Sequence, residues 1–322
     1  LFILIWYTKK AIVTTKIIHQ LLMLLFDDFK SWQQHCKDTQ EPLFEPVLNY
    51  EIQQKNRTAE AIWDGMQRAY TVMKEAVLTG LSEDMTSRSG MVNNSGKKVY
   101  NAPITVLSPE FQKLIARALA AKEVNSCMGR IVAAPTAGAS GILPSTLVTI
   151  QELHNLQDRK ILEGLLVAAG IALIIERNAS LAGAVGGCQA ETGSAAAMAS
   201  GAIVYCLGGS TEQVFSAVAI TIQCMLGLVC DPVAGLVEVP CIVRNASAAA
   251  IAYASAQMAL AGVHAVIPVD ECVQAMGEIG ESMETRYKET ALGGLAATPT
   301  GQQIAKKVLI QDIEILPDET VS

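Results

Sequence analysis

Aromatic residues make up only 5% of this 322-residue chain and charged residues 17%, while 51% of positions are apolar. With so few large rings, the core has to be filled by alanine, glycine and branched aliphatic side chains. Such a composition suits helices packed with their backbones close together. Clusters of Lys and Arg are lacking: Lys97-Lys98 and Lys306-Lys307 are isolated pairs, and the net charge is −7. A nucleic-acid surface is therefore not expected. Also missing is an unbroken apolar run of about 20 residues, the length a bilayer demands. Val214 to Val229 is interrupted by Gln223 and closed by Asp231-Pro232, and Ala246 to Ile267 contains Gln257 and His264. Both read as buried helices, and no membrane association is expected. Leu1 to Tyr7 is apolar, but no basic region precedes it and no small-residue cleavage site follows, so it does not read as an export signal. A cytoplasmic location is the expectation, where thiols stay reduced.

What the chain does have is helical periodicity punctuated by glycine and proline. Lys9 to Trp32 and Thr58 to Leu81 read as amphipathic helices flanking a polar, proline-containing connection over 37–57. In the second helix Ile62, Met66, Ala69 and Met73 recur at helical spacing, with Thr58 as cap and Gly80 near the end. Ser82 to Leu107 is rich in Ser, Asn, Gly and Lys and reads as a long loop, a candidate lid. Ser108-Pro109-Glu110 starts a helix to about Lys122: a serine cap, proline in the first turn, an acid at the positive dipole end. Ala134 to Pro144 interrupts helicity, Ser145 to Asn155 and Gln157 to Ala172 resume it, and 178–188 breaks it again. Ser210-Thr211-Glu212-Gln213 reads as a capping box, and Asn245 to Gly262 and Asp270 to Met283 complete the core. Only Leu309 to Leu316 shows β-type alternation. The expected fold class is all-α, a single helical catalytic domain over 58–301 whose glycine-rich breaks meet at one site. An N-terminal helical segment and linker occupies 1–57 and a tail occupies 302–322.

Three of the eight cysteines stand beside backbone-bending residues: Cys188 after Gly186-Gly187, Cys230 before Asp231-Pro232, and Cys241 after Pro240. Thiols on turns and helix ends can be aimed at one point, as a cubane iron–sulfur cluster requires. Three thiolates without a fourth would leave one iron open, which marks a catalytic rather than a structural metal site. The spacing C-x41-C-x10-C matches no compact zinc or ferredoxin motif, and free cysteines are often buried simply as small hydrophobes. Spacing alone therefore leaves two readings, metal ligands or core thiols.

The flanking sequence adds a resemblance. Asn178 to Ser194 (NASLAGAVGGCQAETGS), Met225 to Cys241 (MLGLVCDPVAGLVEVPC) and Ala134 to Gly141 (APTAGASG) closely resemble the cluster-binding segments of iron–sulfur L-serine dehydratases. The likeness runs in order from roughly Thr58 to Gly301, and the match is to the alpha chain of the two-subunit form. It implies a [4Fe-4S] cluster held by Cys188, Cys230 and Cys241, with the open iron acting as a Lewis acid on the hydroxyl of L-serine. The products implied are pyruvate and ammonia. Backbone amides of the 135–141 loop around Gly138, with Thr136 and Ser140 as side-chain donors, would bind the substrate carboxylate, joined by Arg244 and Asn245. Glu191 and Asp231 are expected to orient the site or to cap helices.

Cys36, Cys127, Cys206, Cys224 and Cys272 lie outside the family's ligand motifs, as do His19, His35, His154 and His264. Single-chain relatives carry a Ser-Ser-Ser-His-Thr motif and a second glycine-flanked histidine in a separate domain. Neither occurs here, so the resemblance implies that a beta chain supplies the base. Gln302 to Ser322 contains no cysteine able to occupy the open iron. Two other functions stay open at this point: removal of sulfide from cysteine at a similar cluster, and a helical interaction subunit whose cysteines are core residues. Pyridoxal phosphate chemistry is less suited, since no lysine sits in an aromatic-flanked segment of the Schiff-base type.

Overall fold

The computed structural model describes residues 26–87, 89–104 and 106–314. Over these residues it contains thirteen α-helices and no β-strand, as composition and periodicity suggest. The centre is α9 (Ser194–Cys206), whose residues are buried on every side except at Tyr205. Its sequence, SAAAMASGAIVYC, carries no apolar stripe, because a helix surrounded by others has no solvent face. Against it pack α6 (Ile142–His154), α7 (Asp158–Asn178), α10 (Thr211–Met225) and α11 (Cys241–Leu260). The small side chains let these helices approach closely: Gly201 of α9 faces Ile171 of α7 and Val218 of α10. Residues 26–57 belong to the same core. There α1 (Phe29–Thr39) and α2 (Phe44–Lys55) contribute Trp32, Val47 and Leu48, and Trp32 stacks on Phe26 with ring centroids 4.7 Å apart.

Helix starts follow the expected local chemistry. Thr58 accepts from the Ala61 amide to begin α3 (Ala59–Ser82), and Ser108 accepts from Phe111 to begin α5 (Pro109–Ser126). Ser210 and Gln213 satisfy each other's amides at the head of α10. The structure also corrects several expectations. The connection over 37–57 contains α2, since Pro46 falls in its first turn, where a missing amide costs nothing. The same holds for Pro144, so α6 begins at Ile142 rather than at Ser145. The long loop over 82–107 contains α4 (Ser95–Asn101), whose first amides, of Ser95 and Gly96, donate to the buried Glu123 carboxylate at 2.6 and 3.0 Å. At 309–316 the alternation is overridden: α13 (Pro299–Glu314) continues through it, and residues beyond Glu314 lie outside those described, as do Leu1 to Leu25.

Gly80 is not a cap. It lies inside α3, where an added Cβ would run into the backbone of Ala120 on α5, and Gly96 of α4 meets Ala120 as closely. Ala120 is thus pinched between two glycines that set the spacing of α3, α4 and α5. Gly80→Ala and Gly96→Ala should each cost about 1–3 kcal/mol through overpacking. The check is a lower unfolding midpoint in thermal melts. An unchanged midpoint in both variants would show that the helices separate without penalty.

The motif cysteines lie between α8 (Gly183–Gly186) and the π-helical segment before α9, in the extended stretch after α10, and at the head of α11. α8 packs on α12 (Val269–Ser282), with the backbones of Gly186 and Gly280 in close approach. Between α8 and α9 the chain takes one π-helical segment, Gln189–Gly193. Such bulges recur at functional sites because they re-aim a side chain without breaking the helix. Among the described residues no helix is long and apolar enough to cross a membrane.

Candidate metal centre

The three family-motif cysteines occupy three different local structures: Cys188 and Cys241 stand at helix starts as the sequence suggests, whereas Cys230, expected on a turn or helix end, lies in an extended bridge. Cys188 follows Gly187, whose φ of +76° only glycine adopts freely, and it precedes the π-helical segment. Cys230 is held in extended backbone: its amide donates to the Tyr287 carbonyl at 2.8 Å and its carbonyl accepts from the Glu289 amide at 2.9 Å. Cys241 is the first residue of α11, directly after Pro240. All three are buried.

Burial is the main influence on each thiol, and it raises every pKa because a thiolate loses hydration. Cys230 is raised further by the negative charge of Cys188, then Glu191, Glu289 and Cys241. Cys241 is pushed up to about 12, with Cys188 raising it and Lys122 opposing. Cys188 is raised by burial, against its hydrogen bond with Thr192 and the positive charge of Arg244. The thiols thus lie within reach of one another's charge. Among the described residues, however, no three His, Cys, Asp or Glu side chains are gathered tightly enough to hold a single metal ion.

Glu191 links these thiols to the loop over 135–141. It lies in the π-helical segment, is buried, and accepts a hydrogen bond from Thr136 Oγ1 at 2.5 Å. A Cβ on Gly138 would collide with its carboxylate, so glycine there is what lets the loop settle on Glu191. On its other side Glu191 approaches Cys230: a methyl group placed on Gly183 would lie 3.2 Å from Cys230 Sγ and 3.6 Å from Glu191 Oε2. The expected substrate loop therefore borders the thiols through this carboxylate. Burial holds the Glu191 carboxyl above its ordinary pKa, against the hydrogen bond from Thr136.

The remaining expected residues are placed as follows. Ser140 is buried, and its hydroxyl finds no hydrogen-bond partner among the described residues. Arg244 reaches back across the Cys230 turn, donating to the Val229 carbonyl and pairing with Asp231, each at 2.8 Å. Asp231 in turn accepts from the Leu295 amide at 2.7 Å. Asn245 is fully buried and acts as a clamp. Its Oδ1 accepts from the Gly141 amide and its Nδ2 donates to the carbonyls of Gly138 and Cys241. Both amide hydrogens are used, so Asn245 ties the loop to α11 and has no free donor to offer a substrate.

Sequence reading missed two charged neighbours. Lys122 of α5 is wholly buried, donates to the Val237 carbonyl at 2.6 Å, and faces the charges of Cys241 and Glu191. Glu289, in the left-handed region at φ +62°, extends its carboxylate to the same space beside Gly183. The other cysteines stay apart: Cys206 packs on Gly164, Cys272 accepts from Gln223, and Cys224 is exposed. His154 and His264 are exposed and His35 contacts Glu41 at 3.2 Å; among the described residues no histidine is one of the groups whose charge the thiols feel.

Fold and site together define a class: an all-helical protein whose glycine-rich breaks carry three buried, mutually interacting thiols bordered by a carboxylate and a polar loop. Comparison with known proteins then places it. The family profile described as serine dehydratase alpha chain matches residues 38–296. The chain is 42% identical over 287 residues to the probable L-serine dehydratase alpha chain of Bacillus subtilis, covering 88% of this chain and 95% of that one. It is 43% identical over 277 residues to the L-serine dehydratase alpha chain of Peptoniphilus asaccharolyticus, covering 85% and 95%. With the L-serine dehydratase of Streptomyces coelicolor it shares 37% identity over 258 residues, 78% of this chain but only 56% of that longer protein. The chain belongs to the serine dehydratase alpha chain family.

Proposed function

We propose that this chain is the alpha subunit of an L-serine ammonia-lyase, with Cys188, Cys230 and Cys241 holding a [4Fe-4S] cluster and a beta chain completing the site. The observation that carries the reading is the set of three buried thiols from separate segments, each within reach of another's charge and bordered by the Thr136–Glu191 contact. Without a cation, burial and mutual repulsion keep these thiols protonated; an iron cluster would stabilise all three thiolates. Soft sulfur donors suit iron–sulfur chemistry, and a cluster of several irons spaces its thiolates wider than one ion does. When bound, the cluster supplies a Lewis-acidic iron with an open position for the substrate hydroxyl.

The chain's own residues then bind and orient. Loss of water from serine takes the Cα proton and the Cβ hydroxyl, leaving an enamine. This tautomerises to an imine that water hydrolyses to pyruvate and ammonia. For the substrate carboxylate, the amides around Gly138 and the hydroxyl of Ser140 are the assigned donors; the one hydroxyl hydrogen of Thr136 is committed to Glu191, so Thr136 borders the carboxylate without donating to it. The buried, unpartnered Ser140 hydroxyl supports this, since such a group is costly unless a ligand completes it. Asn245 holds that loop in place from behind. Arg244 fixes the Cys230 turn through Asp231 and Val229, and its guanidinium contributes positive charge near Cys188.

Anaerobic purification tests the reading. The expected result is a brown protein with about four irons and four sulfides per chain, the composition of a cubane cluster, which releases pyruvate and ammonia from L-serine in complex with its beta chain. A colourless, iron-free protein after anaerobic reconstitution would reduce the cysteines to core residues. Release of sulfide from L-cysteine without pyruvate from L-serine would reassign the substrate.

A further inference from the structure

We propose that Glu289 is the residue that recognises the α-ammonium group of the substrate, and so selects amino acids over hydroxy acids; this rests on the dehydratase reading above. The proposal starts from the space beside Gly183. The missing Cβ there leaves a point 3.2 Å from Cys230 Sγ, 3.5 Å from Glu289 Oε2 and 3.6 Å from Glu191 Oε2. Two carboxylates from distant segments therefore face one small space against a thiol assigned as a metal ligand. Any side chain larger than glycine at 183 would fill it.

The two carboxylates differ in what they are free to do. Glu191 is buried and already accepts from Thr136. Glu289 lies on an exposed residue, and among the described residues no hydrogen bond or ion pair engages its carboxylate. Nearby cations are committed elsewhere: Arg244 to Asp231 and Val229, Lys122 to Val237 and Ser126. Glu289 is also set rigidly. Its amide is bonded to the Cys230 carbonyl, and its backbone is held at φ +62°, a conformation that non-glycine residues adopt at a cost and that the surrounding contacts must enforce. That fixes the backbone from which the Glu289 carboxylate extends toward Cys230.

The substrate has one cationic group, its α-ammonium, two bonds from the hydroxyl-bearing carbon. With the carboxylate taken by the loop over 136–140 and the hydroxyl directed to the thiol-held group, the ammonium needs an acceptor between them. The Gly183 space, bordered on one side by Glu191 and its Thr136 contact and on the other by Glu289, supplies one. A hydroxy acid could still donate its α-hydroxyl to Glu289, but it would lose the attraction between the ammonium and carboxylate charges, which is the larger part of such a contact.

The test uses the full chain with its partner, purified anaerobically. L-Alanine carries the ammonium and carboxylate without the hydroxyl, and L-lactate replaces the ammonium by a hydroxyl. By calorimetry the wild type should bind L-alanine about tenfold or more tightly than L-lactate, the scale of one charge-assisted contact. Glu289→Gln should erase most of that preference and raise KM for L-serine about tenfold, with kcat and iron content little changed. Glu289→Asn, which removes the charge and suits the left-handed backbone, should behave alike and serves if the Gln variant folds poorly. Unchanged preference and KM in either folded variant would overturn the assignment while leaving serine dehydration intact. A wild type that binds both ligands equally would overturn it too. A protein that holds no iron and makes no pyruvate, yet prefers L-alanine through Glu289, would instead sink the dehydratase reading alone.

Discussion

Serine in place of Cys188, Cys230 or Cys241 is expected to reduce iron to background and abolish pyruvate formation in each case. A three-thiolate site has no spare ligand, so one loss leaves two sulfurs to hold a cluster that normally takes three or four. Removing a residue that merely orients a ligand costs about 10–100-fold in affinity or activity, and removing the ligand should cost more. The structural cost of the substitutions is small, since Ser is close to isosteric and none of the three sites is a helix interior: Cys188 and Cys241 stand at helix starts and Cys230 in an extended bridge. Cys206→Ser and Cys272→Ser are the controls. They lie against Gly164 and Gln223, away from Glu191, and should keep full iron. The measurement is iron and sulfide per chain after anaerobic reconstitution, with melts to verify folding. Full iron in a folded Cys188, Cys230 or Cys241 variant would remove that residue from the ligand set.

Much of the fold was legible because helix chemistry is local. The caps at Thr58, Ser108 and Ser210 act within three residues of themselves, and the sequence shows them directly. Proline misled the reading in two places for one reason: Pro46 and Pro144 look like breakers but occupy first turns, where they break nothing. Gly80 misled for another. A glycine near a helix end suggests a cap, whereas the requirement here is set by Ala120, forty residues away, and no local pattern reveals it. The candidate metal centre was legible only as three cysteines with backbone-bending neighbours, Gly186-Gly187, Asp231-Pro232 and Pro240. Its electrostatic frame was not. Lys122 sits in an ordinary-looking helix, and Glu289 follows Lys288 in a polar stretch; only the packing of α5 against α11 and the pairing of Cys230 with 287–289 bring them to the thiols. Asn245 shows the reverse error. Its place after Arg244 suggested a substrate contact, and its geometry makes it a clamp.

The alpha chain alone is expected to make almost no pyruvate, and addition of its beta chain should restore the activity. Abstraction of the Cα proton needs a base within hydrogen-bond reach of the substrate, and no histidine of the described residues lies with the thiols. The relatives point the same way: the chain spans 95% of two curated alpha chains, but only 56% of the Streptomyces coelicolor protein, which carries further sequence of its own. The surface around the site suits a partner. Leu292, Val243, Val185 and Leu295 are 71%, 57%, 54% and 43% exposed. Val243 lies two residues from Cys241 and Val185 three from Cys188, while Leu295 donates its amide to Asp231 beside Cys230. An exposed apolar side chain thus lies within three residues of Cys188 and of Cys241, and Leu295 lies on the segment bonded to Asp231 beside Cys230. Docking of the beta chain there would cover the open side and bring its base toward the substrate. Cluster-loaded alpha chain should be assayed with L-serine alone and with beta chain added, and Leu292→Asp with Val243→Asp should weaken reconstitution while keeping iron. Full pyruvate production by the alpha chain alone would defeat the proposal and turn the search for a base to Glu191, the buried carboxylate already at the site.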